Sequence, residues 1–204
     1  MQIQLNKIGK RYNREWIFKN LSYTFFASNM YAITGANGSG KSTLLQTIAG
    51  SMNISEGEIK YLNSNNKITT DNIYKHIAIT APYLDLVDEM SVTEFLQFHN
   101  SFKKLVLPIT EIIEIVGLQK ASHKQIRYYS SGMKQRVKLA QAIFADTPII
   151  LLDEPCTNLD KVGFQLYYNL IEKFCSQKLV IVCSNDENEI NFCKERLNIM
   201  DWKG

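Results

Sequence analysis

The chain has 204 residues, 45% apolar and 21% charged, with 10 Gly and 4 Pro; it can bury a substantial core and is not collagenous, disordered or disulfide-stapled. Lys and Arg number 23 against 20 Asp and Glu, and the resulting +3 is too weak for a nucleic-acid or anionic-membrane footprint. No apolar run nears the roughly 20 residues of a membrane span, and the opening MQIQLNKIGKRYNRE lacks a signal-peptide core, so a soluble, cytosolic chain is expected.

Residues 1–80 read as strands plus one helix. Ile3 and Leu5 alternate with polar residues, as do Leu21, Tyr23 and Phe25, which predicts half-buried antiparallel strands. Met30–Thr34 is a nearly unbroken apolar run suited to a central strand. Residues 57–62 and 77–79 predict two more strands. From about 83 the pattern turns helical. Ser91 with Glu94 three residues on is a capping box ahead of Phe95, Leu96 and Phe98. Ile109, Ile112, Ile113 and Val116 follow Pro108 at helical spacing, with Gly117 placed as a C-terminal cap. A third helix should carry Val137, Ala140, Ile143 and Phe144. Residues 149–152 and Leu179–Cys183 read as buried strands around a helix bearing Val162, Leu166, Leu170 and Phe174. This alternation means a mostly parallel sheet.

Gly35-Ala36-Asn37-Gly38-Ser39-Gly40-Lys41-Ser42 matches G-x-x-x-x-G-K-[ST] between a buried strand and an apolar helix ended by Gly50. The glycines let successive backbone N–H groups turn onto phosphate oxygens, and the helix that follows aims its positive end at the same anion. Lys41 supplies charge for the β- and γ-phosphates, and the Ser42 hydroxyl is a hard oxygen ligand for magnesium. Residues 149–154 read Ile-Ile-Leu-Leu-Asp-Glu, a buried strand ending in two acids. Asp153 at the end of an adjacent strand reaches the magnesium site, and Glu154 can polarise an attacking water as general base.

Tyr129-Ser130-Ser131-Gly132-Met133-Lys134-Gln135-Arg136 is similar to LSGGQxQR, the signature of the ATP-binding cassette (ABC) ATPases, and Asn158-Leu159-Asp160 resembles their D-loop. The resemblance covers essentially the whole chain and identifies it as the nucleotide-binding subunit of a bacterial-type ABC transporter. It implies an α/β fold: a P-loop NTPase core with a mostly parallel sheet, an N-terminal antiparallel β subdomain and an inserted α-helical subdomain. On that reading residues 1–204 form one domain, with the core at about 1–82 and 138–204 and the helical subdomain at about 83–137. The implied cofactors are ATP and Mg2+. Contacts would come from Gly35, Asn37, Gly38, Ser39, Gly40, Lys41, Ser42 and Thr43, with Tyr12 stacked on adenine and Trp16 as its rival. Ser130, Ser131, Gly132 and Met133 would open a helix whose N–H groups cap the γ-phosphate of a second cassette. Ser42 and Asp153 would hold the metal, and Glu154, Lys41 and Asn185 would carry catalysis. The implied partners are a second cassette (a homodimer or a sister cassette) and a separate transmembrane permease, with no nucleic acid, on the cytoplasmic face of the inner or plasma membrane. The alternative is a soluble or regulatory cassette with weak or no hydrolysis and no membrane partner.

Two positions depart from the family. Its switch histidine is Asn185 here, which can donate an amide hydrogen bond but cannot become cationic. Its loop glutamine falls on Pro82, which has neither a side-chain ligand nor an N–H. Slow hydrolysis is the expectation. The apolar stretch of Tyr83, Leu84, Leu86 and Val87 suits a groove for a partner helix. Cys156, Cys175, Cys183 and Cys193 read as reduced and buried, His76, His99 and His123 share no ligand spacing, and Lys103-Lys104 with Lys7, Lys10 and Arg11 read as solvated faces.

Overall fold

The computed structural model describes residues 1–63 and 66–204. The alternating N-terminal segments form β1 (Gln2–Tyr12) and β2 (Glu15–Phe26), joined by β4 (Glu56–Asn63) and β5 (Asn66–Ile68) in an antiparallel sheet of order β2-β1-β4-β5. A five-stranded parallel sheet follows. It comprises β3 (Met30–Thr34), β6 (Ile77–Thr80), β7 (Ile149–Asp153), β8 (Leu179–Cys183) and β9 (Glu195–Asn198), in the order β6-β7-β8-β3-β9. Every residue of β7 and β8 is buried, as an apolar run inside a parallel sheet requires.

Alternate residues of these strands serve two cores. Ile33, Ile149, Leu151, Leu179 and Ile181 face α1 (Lys41–Ile48) through Leu44, Leu45 and Ile48, and face the antiparallel sheet through Ile3, Leu5 and Phe25. Ala32, Ile150, Leu152, Val180 and Val182 face the opposite core, shared with α3 (Val92–Phe102), α4 (Ile109–Ile115), α5 (Ser131–Ile143) and α6 (Lys161–Phe174). Short helices α2 (Thr70–Ile73) and α7 (Glu187–Ile190) complete the set. The expected boundary at 137–138 falls inside α5, which runs unbroken from the lobe onto the sheet.

Local signals set the helix ends. The Ser91 hydroxyl accepts from the Glu94 N–H while the Glu94 carboxylate accepts from the Ser91 N–H at 2.8 Å, completing the expected box. Gly117 takes φ +70° beyond α4. Gly57 shows where glycine is required. Its φ is +85°, it faces a break in the β1–β4 register between Asn6 and Gly9, and an added Cβ would lie 2.4 Å from the Lys7 carbonyl oxygen. Gly57→Ala should therefore cost about 1–3 kcal/mol and lower the thermal midpoint; an unchanged midpoint would remove the bulge argument.

Several expectations need correction. Val162 is 68% exposed, and the buried face of α6 is Gly163, Tyr167, Leu170 and Ile171. A row of residues four apart drifts about 40° per step on a 3.6-residue helix, so a series begun at Val162 cannot stay on one face. Lys103 is not a solvated cation: its ammonium donates to the Ile77 carbonyl at 2.6 Å, and burial lowers its pKa. Lys10 likewise donates to the Asn53 carbonyl at 2.7 Å. His99 is half-buried, and burial lowers its pKa.

Candidate functional site

The loop from β3 to α1 turns through three glycines at positive φ: Gly35 at 142°, Gly38 at 75° and Gly40 at 106°. At Gly40 an added Cβ would sit 2.3 Å from Ile17 Cγ2, so a larger residue would force the loop off β2. Lys41 opens α1 and is only 6% exposed; its Nζ donates to the carbonyls of Gly35 at 2.7 Å and Ala36 at 3.3 Å. The ammonium therefore lies inside the curve of its own loop. The Ser39 hydroxyl, also buried there, has no hydrogen-bond partner.

A cavity of about 220 Å³ opens on this loop, lined by Asn37, Gly38, Gly40, Lys41, Ser42 and Thr43, with Ile17 on one side and Glu154 on another. Asp153, the last residue of β7, approaches from beneath. Burial pushes its carboxyl pKa up, and Glu154 adds to that, while a hydrogen bond from the Ser42 hydroxyl and the charge of Lys41 oppose it. Its Oδ2 is buried without a partner. Glu154 is exposed and held at φ +44°, a strained angle for a residue with a side chain, by its N–H bond to the Cys183 carbonyl at 2.9 Å. The strain turns its carboxylate out of the sheet toward the cavity.

Asn185, just past β8, is stitched to the same loop. Its Oδ1 accepts from the Gly35 N–H at 3.1 Å and its Nδ2 donates to Asn37 Oδ1 at 3.2 Å. The structure thus gathers Asn37, Gly38, Gly40, Lys41, Ser42, Thr43 and Glu154 around one opening, with Asp153 one residue before Glu154 and Asn185 bonded to the loop from an adjoining cavity.

Residues 130–133 lie elsewhere. Ser130 caps α5, its hydroxyl accepting from the Met133 N–H at 3.3 Å, and Ser130 and Ser131 are exposed. They line a separate cavity of about 340 Å³ with Gly132, Met133, Arg136 and residues 158–160. Gly132 is packed tightly there, since a Cβ would come within 3.0 Å of the Asn158 carbonyl oxygen. The turn therefore faces outward, away from the phosphate loop of its own chain.

The aromatic candidates do not line the cavity at Lys41. The Tyr12 hydroxyl meets Met52 Sδ at 3.1 Å, and Trp16 lies between the cationic groups of Arg11 and Lys19. Ile17 is the apolar wall instead, a residue that a strand pattern marks only as core. Next to Pro82, Tyr83 lines a cavity of about 340 Å³ with Gln46 and Ile79, and burial with nearby Asp153 pushes its phenol up to about 12. The Pro82 loop is held from α5. Lys138 donates to the carbonyls of Ala81 at 3.3 Å and Pro82 at 3.2 Å, and Lys134 bonds Asp88 at 2.9 and 3.1 Å. Lys138 belongs to no motif and Lys134 stands at the variable position of the signature-like segment, so the sequence reading gave neither a role.

The sequence model of the ABC transporter family matches residues 18–157. The ABC transporter ATP-binding protein YxlF of Bacillus subtilis (strain 168) is 35% identical over 99% of this chain and 70% of its own length. YhcH from the same organism is 28% identical over 97% of this chain, which spans 66% of that protein. Among solved structures, the dimeric post-hydrolysis state of the ATP-binding cassette MJ0796 bound to ADP and Pi superposes with a TM-score of 0.81. It covers 96% of this chain and 93% of that one at 22% identity, which speaks for the fold.

Proposed function

Since the chain belongs to the ABC transporter family as an ATP-binding cassette, we propose that it binds and hydrolyses ATP to energise a separate membrane-spanning permease, with closure and reopening of a cassette dimer as the stroke. One observation carries this reading: Lys41, Ser42 and Glu154 line a cavity floored by a glycine loop, with Asp153 at the end of the adjoining strand, while the exposed signature turn lines a separate cavity. A site divided in that way is complete when a second cassette presents its 130–133 turn. Residues 1–204 then act as one cassette, with the core at about 1–82 and 138–204 and the helical subdomain at about 83–137.

The geometry supports a role for each residue. Backbone N–H groups of residues 37–42 and the N-terminus of α1 bind the phosphates, and Lys41 leaves its own loop carbonyls to meet β- and γ-oxygens. Ser42 and Asp153 fit Mg2+, being hard oxygens of which one, Asp153 Oδ2, is buried and unpartnered. Bound there, the ion would supply charge to neutralise the phosphoryl oxygens. Glu154 takes the proton from the water whose oxygen attacks the γ-phosphorus as the ADP oxygen departs. Asn185 donates a neutral amide hydrogen bond to the γ-phosphate. Ile17 offers an apolar wall beside the phosphate loop, and Tyr12, 47% exposed, keeps a ring face open to stack on adenine.

Slow turnover follows from Asn185 and Pro82. A neutral amide does less than a cation for charge building on the phosphoryl group, and one missing donor costs about 10²–10³ in rate. Asn185→His should raise steady-state phosphate release by about tenfold or more; an unchanged rate would remove Asn185 as the cause. Among the described residues no helix is long and apolar enough to cross a membrane. The transport reading assigns the membrane-spanning part to a second protein, with the cassette at the cytoplasmic face of the inner or plasma membrane. Fractionation decides this. Co-sedimentation with membranes alongside a multi-span protein supports the transporter reading, and a wholly soluble pool favours a regulatory cassette.

A further inference from the structure

We propose that Glu189 is a positioning residue that clamps the turn carrying Glu154 to the segment carrying Asn185, an inference that rests on the ATPase reading above. Glu189 lies on α7, is 5% exposed, and belongs to none of the motifs. Its Oε1 accepts from the Cys156 N–H at 2.9 Å, and its side chain lines the same cavity as Ser184 and Asn185. The side chain therefore ties the turn that leaves β7 to α7, the helix that begins two residues past Asn185 at the end of β8. Its own backbone is fixed in turn, because the Tyr167 hydroxyl on α6 donates to the Glu189 carbonyl at 3.1 Å.

Burying a carboxylate is costly unless hydrogen bonds offset it. Here Oε2 is buried without a partner and Asp186 and Glu154 lie nearby, so the position is unfavourable for stability alone. What it supplies is restraint where the chain needs it. Glu154 stands at φ +44° and keeps that conformation only while its surroundings impose it. The turn is gripped from β8 through the Glu154 N–H, from α5 by Gln135, which donates to the Pro155 carbonyl at 2.6 Å, and from α7 by Glu189. Glu154, Asn185, Asn37 and Glu189 line one cavity of about 270 Å³, so a slip of this clamp displaces the base and the phosphate donor together.

The test compares Glu189→Ala and Glu189→Gln in the purified full chain, with any partner that co-purifies. An ångström of misplacement costs up to about 10²-fold in rate. Glu189→Ala should therefore lower kcat for phosphate release by about 10- to 100-fold with the ATP Kd within about twofold of wild type. Glu189→Gln, which keeps an acceptor oxygen for the Cys156 N–H, should recover a substantial part. Amide hydrogen exchange without nucleotide should quicken together at residues 156–157 and 184–186 in the Ala variant and stay unchanged at 35–42. A wild-type kcat, or equal loss of kcat and ATP affinity, would overturn the proposal. If the wild-type chain releases no phosphate, the ATPase reading fails separately. Exchange then decides the clamp: coupled quickening upholds it, and unchanged protection at Cys156 overturns it.

Discussion

Glu154→Gln should abolish phosphate release while leaving ATP bound. The substitution keeps the size and shape of the side chain and removes only its capacity to accept a proton, so Lys41, Ser42 and the loop N–H groups remain as they are. General-base catalysis contributes about 10²–10⁴ in rate, and against an already slow wild type the residual rate should sit at background. Nucleotide that binds without being consumed should also hold the cassettes together. Gel filtration with ATP and magnesium is therefore expected to move the variant from monomer to dimer. A variant that stays monomeric would count against the two-cassette site, and one that releases phosphate at the wild-type rate would remove Glu154 as the base.

Lys41→Ala should fail one step earlier. The ammonium is buried and already hydrogen-bonded to the Gly35 and Ala36 carbonyls, so its removal deletes the only motif cation in the cavity and leaves two inward carbonyls facing phosphate. A hydrogen bond to a charged group contributes about 1.5–3 kcal/mol, or roughly 10- to 150-fold in binding. The ATP Kd should rise by that factor in a calorimetric titration, with turnover falling further because the same charge meets the transferring phosphoryl group. Lys41→Arg should not restore function, since the planar guanidinium cannot fit where a compact ammonium sits within the loop's curve. An ATP Kd within about twofold of wild type would show that the loop amides alone hold the nucleotide.

The contrast between these residues and the rest explains what could be read from sequence. Lys41, Ser42, Asp153 and Glu154 were legible because each needs one residue type at one spacing, between elements with clear periodicity. The buried strands β3, β7 and β8 were legible because parallel-sheet burial writes itself as unbroken apolar runs. Strand β9 was not, since an edge strand with Leu197 alone buried reads as a charged loop. Val162 misled because spacing of four residues imitates a face it does not keep. Ile17, Lys138 and Glu189 were invisible for a shared reason: each acts on backbone atoms or loops distant in sequence, and such partners leave no local pattern.

The grip of α5 on its surroundings has a mechanical corollary. Lys134 and Lys138 hold the 81–88 segment, Gln135 holds the strained turn, and the far end of the rod is sunk in the sheet core. Thirteen residues span about 20 Å, so a tilt of about 10° about the buried end swings Ser130 through roughly 3 Å, more than a hydrogen bond tolerates. On the proposed two-cassette site, contact between Ser130 and a neighbour's phosphate would therefore be close to all-or-none, tripped by a rotation too slight to disturb any packing at the pivot.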